Sequence, residues 1–354
     1  MAIKVSNIYY MLAYAFQGLT AGITADLGSE DFENLHSLFA EILLRGMTRQ
    51  IKRGIHRDYS PHTELLSGVR GKINIAQTVS GLATQTRQLV CEYDEFTEDT
   101  LPNRVIKAAV TVLLRHGELS ANARSGLKRV LSYLGGVKDI RPSEIRFDLL
   151  KIQRVNQEYK MLLSVCQLLF DGLLMTDKNG ERKLRSFLPD DKMHQLYERF
   201  VREYYRYHHP EFHAKASQIA WDLDFDSDSP ELPFMRSDTT LTYGGRTIII
   251  DTKWYSRTMA AYFGKASYHS GNMYQIYSYV NNTARGTSGK VSGILLYAKT
   301  DEPVTPDGDY TISGNGIGVK TLDLSQHFDG IQAQLENIAS ALYAPPMAET
   351  EEDT

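Results

Sequence analysis

The sequence predicts an α/β protein: a C-terminal mixed sheet flanked by helices, preceded by an N-terminal α+β region. Three observations carry this. From about residue 190 onward the order helix, strand, hairpin, helix, strand makes a sheet covered by helices. Ile248, Ile249 and Ile250 form an unbroken apolar run, as in a strand covered on both faces. In the first half, helical periodicities enclose a β-like stretch between His56 and Gln77. With 354 residues, 42% of them apolar, the chain is long enough for two domains with real cores.

The elements follow in order. A first helix is predicted over 7–18, after Ser6, and a longer one over 32–53, where Leu35, Leu38, Phe39, Ile42 and Leu43 repeat at helical spacing. In the β-like stretch, Gly68 and Gly71 have the spacing of a turn or bulge between strands. Arg70 and Lys72 beside them are either exposed edge charges or contacts for phosphate or an acidic partner. The acidic run after Cys91 leads to a helix over 103–115, whose dipole acids at its N-terminus complement. Further helices are expected over 121–134 and 156–175, the second apolar on nearly every side. A polar, glycine-containing stretch then marks a domain boundary near 180.

Beyond the boundary a helix over 193–207 carries Glu198, a candidate further acidic ligand, and ends at His208-His209-Pro210. Neighbouring histidines do not face one another and no spaced partner completes a metal set, so they read as a helix C-terminus. A strand is expected over 216–225, then a loop over 227–233. After the hairpin described next, 256–270 reads as a loop whose Arg257, Lys265 and His269 could face phosphate. The helix over 272–280 places Gln275 and Tyr279 four residues apart, on one face. Strands over 293–298 and 318–324 and a helix over 328–342 complete the fold, and 344–354 reads as a disordered acidic tail.

The hairpin is the chemically informative stretch. Gly244-Gly245 tolerates the positive φ angles of a two-residue turn between two β-rich runs. Counting outward, Tyr243 faces Arg246, Leu241 faces Ile248, Thr239 faces Ile250, and Asp238 lands opposite Asp251. Opposed Cβ atoms lie about 4.5–5.5 Å apart, where like charges destabilise. At about 5 Å and an effective dielectric near 20 the repulsion is on the order of 3 kcal/mol. A divalent cation would offset it, and Lys253, on the same strand face as Asp251, adds a positive charge. Carboxylates, water and a phosphate oxygen suit Mg²⁺, which prefers hard oxygen ligands. Asp-x-Lys alone is a weak signal, and a solvated hairpin could carry it incidentally. Charges kept at the end of a buried strand are harder to explain without a function. Asp238, Asp251 and Lys253 are therefore a candidate metal-dependent phosphodiesterase site.

Composition narrows the class. A net charge of −4 does not describe a protein that grips DNA strongly through counterion release on its own. Two cysteines are too few for a disulfide scaffold or a cysteine-based zinc site, and fit a reducing compartment. No apolar stretch is long enough to span a membrane, and Lys4 and Asn7 interrupt the apolar start, so a cytoplasmic protein is expected.

Several motifs in one order now resemble the McrC family, the nuclease subunit of McrBC-type modification-dependent restriction systems. They are Asn7-Ile-Tyr-Tyr-Met-Leu-Ala-Tyr-Ala, Gly68-Val-Arg-Gly-Lys-Ile, Glu98-Asp-Thr-Leu-Pro-Asn-Arg, Ser237-Asp238 with Asp251-Thr-Lys253-Trp-Tyr, and Asn272-Met-Tyr-Gln-Ile-Tyr-Ser-Tyr. The resemblance spans nearly the whole chain. It implies a PD-(D/E)xK nuclease domain over 181–343, with Asp238, Asp251 and Lys253 as the acidic pair and lysine and Ser237 where the superfamily name has proline. Gln275 and Tyr279 match the QxxxY signature of the RecB-like branch, and Glu198 matches a position where some members carry an acid. Mg²⁺, with Mn²⁺ as an alternative, would sit on Asp238, Asp251, the Thr252 carbonyl and Glu198.

The resemblance also implies partners. Residues 1–180 would bind and stimulate an AAA+ GTPase ring like McrB, which recognises modified cytosine in double-stranded DNA, and a homodimer through or near the nuclease domain is compatible with this. The chain has no G-x-x-x-x-G-K-[ST] loop, so nucleotide hydrolysis would belong to the partner. Two rival functions remain: a non-catalytic adaptor of an AAA+ motor, and a stand-alone RecB-like nuclease.

Overall fold

A computed structural model describes residues 3–16, 32, 34–79, 86–150, 157–176, 182–184, 188–223, 231–255, 260–262, 265–299 and 305–343. The expected acidic tail and Arg257 lie outside these residues. So does the side chain of Lys265. The chain divides into two compact units, one of residues 34–186 and one that joins 1–33 to 187–354. The sequence boundary was expected near 180, and this division falls after residue 186. The first helix is placed differently, in the C-terminal unit instead of the N-terminal region.

In the unit of residues 34–186, helix α2 (Leu35–Arg53) begins at Asn34, whose side-chain oxygen accepts from Ser37 N at 2.8 Å. Strands β1 (Asp58–Leu66), β2 (Lys72–Ile73) and β3 (Leu89–Thr97) form an antiparallel sheet in the order β1-β3-β2. The acidic run after Cys91 is thus the central strand, not only the approach to a helix. Glu95 meets His62 across the strand pair, and Arg70, instead of standing free, lies 3.7 Å over the Tyr93 ring and 3.6 Å from Glu95.

Helices α3 (Leu101–His116), α4 (Ala121–Tyr133) and α5 (Gln157–Leu168) pack with α2. The predicted helix over 156–175 ends earlier, passing through a π turn at Leu169–Leu173 into a short strand, Leu174–Thr176. The Glu98–Arg104 motif ties the unit internally. Asn103 Nδ2 donates to the carbonyls of His56 and Glu98, each at 2.8 Å, and its own oxygen accepts from Tyr159 OH at 2.9 Å.

In the other unit, strands β4 (Thr239–Tyr243), β5 (Arg246–Lys253), β6 (Lys290–Ala298), β7 (Gly308–Ile312) and β8 (Asn315–Leu322) form one sheet in the order β7-β8-β6-β5-β4. The three central strands are parallel and both edges antiparallel, which makes the sheet mixed as predicted. Helix α7 (Ser270–Arg285) covers one face, where Ile276 and Val280 meet Ile249, Leu295, Ile317 and Val319. Gly293 permits this approach, since a Cβ there would lie 2.5 Å from Val280 and 2.7 Å from Ile276. Helices α6 (Asp190–His208) and α8 (Phe328–Tyr343) pack against β4, β5 and β8. Alternation along β5 leaves Ile248 and Ile250 for the face away from α7.

Helix α1 (Val5–Ala15) belongs here because nearly all of its surface is apolar and buried. Asn7 Nδ2 donates to the carbonyls of Leu324 and Gln326 at 2.7 and 2.8 Å, Tyr10 stacks on Phe328 at 4.1 Å, and Tyr14 OH lies 2.7 Å from His208 Nε2. His209 sits between Glu211 and Glu336, so the two histidines close α6 structurally, as their adjacency implied.

Two readings need correction. The strand expected over 216–225 shrinks to Gln218–Ile219 paired with Met235–Arg236, with a bridge from Lys215 to Thr240. The hairpin of β7 and β8 was not anticipated, because Gly308–Ile312 is largely exposed and lacks the apolar alternation that marks a strand. Among the described residues, no helix is long and apolar enough to cross a membrane.

Candidate active site

The hairpin has the register that counting predicts. Tyr243 pairs with Arg246, Leu241 with Ile248 and Thr239 with Ile250, and Gly244 and Gly245 hold φ of 55° and 74°. Asp238 therefore enters β4 beside the end of β5 that carries Asp251, Thr252 and Lys253. Its Oδ2 accepts from Thr252 N and from Thr252 Oγ1, both at 2.7 Å. Thr252 thus locks one ligand candidate to the strand that carries the other. The sequence pointed only to its carbonyl.

Asp251 is 2% exposed, and its Oδ2 stands 2.7 Å from Lys253 Nζ. That contact is an ion pair, and Oδ2 has no further hydrogen bond among the described residues. Lys253 Nζ donates to Gln275 Oε1 at 2.9 Å, and Gln275 Nε2 donates to Tyr279 OH at 2.9 Å. The single helical face inferred for Gln275 and Tyr279 is therefore turned toward Lys253.

Burial pushes the Asp251 carboxyl up to about 6: Lys253 opposes this, and the charges of Asp238 and Glu198 add to it. Burial also raises Asp238, against the hydrogen bond from Thr252. For Lys253 burial acts downward, but the charge and contact of Asp251, together with the charges of Tyr255 and Asp238, outweigh it, so the ammonium is held above its ordinary range. The site is short of positive charge. Its donor set consists of hard carboxylate oxygens, one of them buried without a hydrogen bond, which fits Mg²⁺ or Mn²⁺.

Glu198 departs from expectation. Its carboxylate accepts from Arg202 Nη1 at 2.8 Å, and the same nitrogen donates to the Asp238 carbonyl at 2.7 Å. Among the described residues no three His, Cys, Asp or Glu side chains form a set able to hold a metal ion. Two carboxylates come together here, and Glu198 adds its charge from a distance.

Residues that the sequence reading missed support this core. Ser237 is buried; its Oγ accepts from Ser217 N at 3.0 Å and meets Thr240 Oγ1 at 2.8 Å, fixing the chain just before Asp238. Asn272 donates to Tyr297 OH at 2.9 Å and accepts from Tyr255 OH at 3.3 Å, and Tyr297 lies beside Lys253 in the β5–β6 register. Arg202 alone had a legible signal, its four-residue spacing from Glu198. His269 caps α7, and its Nε2 is buried without a hydrogen bond.

Comparison with known proteins gives the same fold and a family. The chain is 29% identical over 339 residues to the Type IV methyl-directed restriction enzyme EcoKMcrBC of Escherichia coli (strain K12), covering 95% of this chain and 97% of that one. It superposes with a TM-score of 0.53 and 18% identity on a chain from the refined half-complex of Thermococcus gammatolerans McrB AAA+ hexamers with bound McrC, covering 95% of this chain and 76% of that one. Residues 4–298 match the McrBC 5-methylcytosine restriction system component, and the chain belongs to that family.

Proposed function

We propose that the chain is the nuclease subunit of a McrBC-like complex, cutting double-stranded DNA at a PD-(D/E)xK-type site with Mg²⁺ as cofactor. One observation carries this. Asp238, Asp251 and Lys253 converge at the end of one buried strand pair, where an Asp251 oxygen is buried without a hydrogen bond. Asp238, Asp251 and the Thr252 carbonyl would hold the ion. Bound there, Mg²⁺ supplies Lewis-acid polarisation of a phosphoryl oxygen and a lowered pKa for water.

The chain's own groups do the rest. Lys253, beside Asp251, is placed to donate a hydrogen bond and stabilise negative charge growing on the phosphate. Gln275 fixes the direction of that ammonium, and Tyr279 fixes Gln275. Thr252 holds Asp238 in register with Asp251. The N-terminal region, residues 1–180, binds and stimulates an AAA+ GTPase like McrB, which brings modified-cytosine DNA to a chain whose net charge of −4 suits it poorly to bind DNA alone.

The test uses the chain with its AAA+ partner, methylated DNA, GTP and Mg²⁺. Asp251→Asn is expected to lower cleavage by about 1,000-fold, equivalent to the several kcal/mol of charge stabilisation that a metal site provides. Stimulation of the partner's GTPase should persist. Cleavage by Asp251→Asn at the wild-type rate would defeat the assignment. A wild-type chain that stimulates GTP hydrolysis without cutting would be an adaptor, and cutting that needs no partner would mark a stand-alone nuclease.

A further inference from the structure

Glu198 reaches the site by a route other than metal ligation. We propose that Glu198 and Arg202 form a positioning pair that orients Asp238 from helix α6, with Glu198 outside the ligand set. This rests on the nuclease reading above.

The geometry is specific. Arg202 Nη1 serves two acceptors at once, the Glu198 carboxylate at 2.8 Å and the Asp238 backbone carbonyl at 2.7 Å. Asp238 is consequently held from two sides. Thr252 grips its carboxylate from β5, while Arg202 grips its carbonyl from α6. Both hydrogen bonds to the carboxylate fall on Oδ2, which leaves Oδ1 to meet an ion. A rotation of the Asp238 peptide would turn that oxygen away.

Glu198 has a second effect. The Arg202 side chain is only 14% exposed and is held on the backbone of Asp238, whose carboxylate adjoins the strand that carries buried Asp251. A guanidinium matches carboxylate geometry and would pair with these acids if nothing else held it. Glu198, one turn earlier on the same helix face, supplies the competing carboxylate and keeps Arg202 on the Asp238 carbonyl. The pair thus steadies one ligand and keeps a permanent cation out of the metal's place.

The experiment compares wild type, Glu198→Gln, Arg202→Met, Arg202→Lys and the double variant Glu198→Gln/Arg202→Met. Mn²⁺ binding to the chain without DNA is followed by electron paramagnetic resonance, and cleavage by the chain with its partner is titrated with Mg²⁺. Each of Glu198→Gln and Arg202→Met is expected to weaken Mn²⁺ binding, and raise the half-saturating Mg²⁺ concentration, by about tenfold, the scale of coupling between residues in one network. The double variant should be no worse than either single one. Arg202→Lys should restore most of the loss, and the rate at saturating Mg²⁺ should stay near wild type, which general destabilisation would not allow.

Loss of Mn²⁺ binding in Glu198→Gln to the extent seen in Asp251→Asn, with Arg202→Met unaffected, would make Glu198 a ligand and overturn the proposal. Unshifted binding in both single variants would overturn it too. If the wild-type complex shows no Mg²⁺-dependent cutting, the nuclease reading itself fails. A cutting wild type with unshifted variants removes only the positioning pair.

Discussion

At the scale of single residues, the candidate site was legible where period-two counting applies. The glycine pair fixes the turn, the turn fixes the register, and the register brings Asp238 to Asp251. Asn272 and Tyr297 were not legible, since their contacts come from segments whose approach no local pattern encodes. The same scale governs acid stability. Arg104, bonded at 2.6 Å, holds the Asp99 carboxyl down at about 2. Burial works against Asp323, but bonds from Lys299, Ser325 and Gln326 bring it to about 2 as well. Both folded pKa values lie below the ordinary 3.8, so the stabilisation is complete above about pH 4 and is lost as pH falls toward 2. Urea midpoints measured at pH 7, 4 and 3 should fall less steeply for Asp99→Asn than for wild type, and equal slopes would count against the assignment.

At the scale of elements, most helices were read from periodicity, and the buried strand β5 from its isoleucine run. The failures were edge elements. Strand β7 is an exposed edge whose pairing to β8 depends on the turn at Ser313-Gly314, where both residues have positive φ. The pairing of 218–219 with 235–236 depends on a return of the chain that spacing does not reveal. Close packing of α7 on the sheet rests on Gly293. Gly293→Val should push α7 away from β6, at a cost of about 1–3 kcal/mol typical of overpacking. Because α7 carries Gln275, cleavage should fall along with the melting temperature. A variant that loses stability but keeps full activity would separate the packing of α7 from the orientation of Lys253.

At the scale of the whole molecule, α1 is the exception to contiguity, grouped with 187–354 and not with the segment that follows it. That exception could not be read from sequence because Asn7 finds its acceptors more than 300 residues away, at Leu324 and Gln326. Asn7→Leu strips both carbonyls of their donor, and the expected loss is about 1–3 kcal/mol. Hydrogen exchange should localise that loss to 188–343 and leave 34–150 protected, whereas uniform loss over both would contradict the division into units. The position of α1 also bears on how the polypeptide is made. A ribosome must release the entire 34–186 segment, on the order of ten seconds of elongation, before the helix meets Phe200, Tyr204 and Phe328. Throughout that interval a tyrosine-rich apolar surface waits unpaired on the nascent chain, so slow translation or a shortage of chaperones should reduce the yield of this protein more than that of one whose corresponding helix folds with its immediate neighbours.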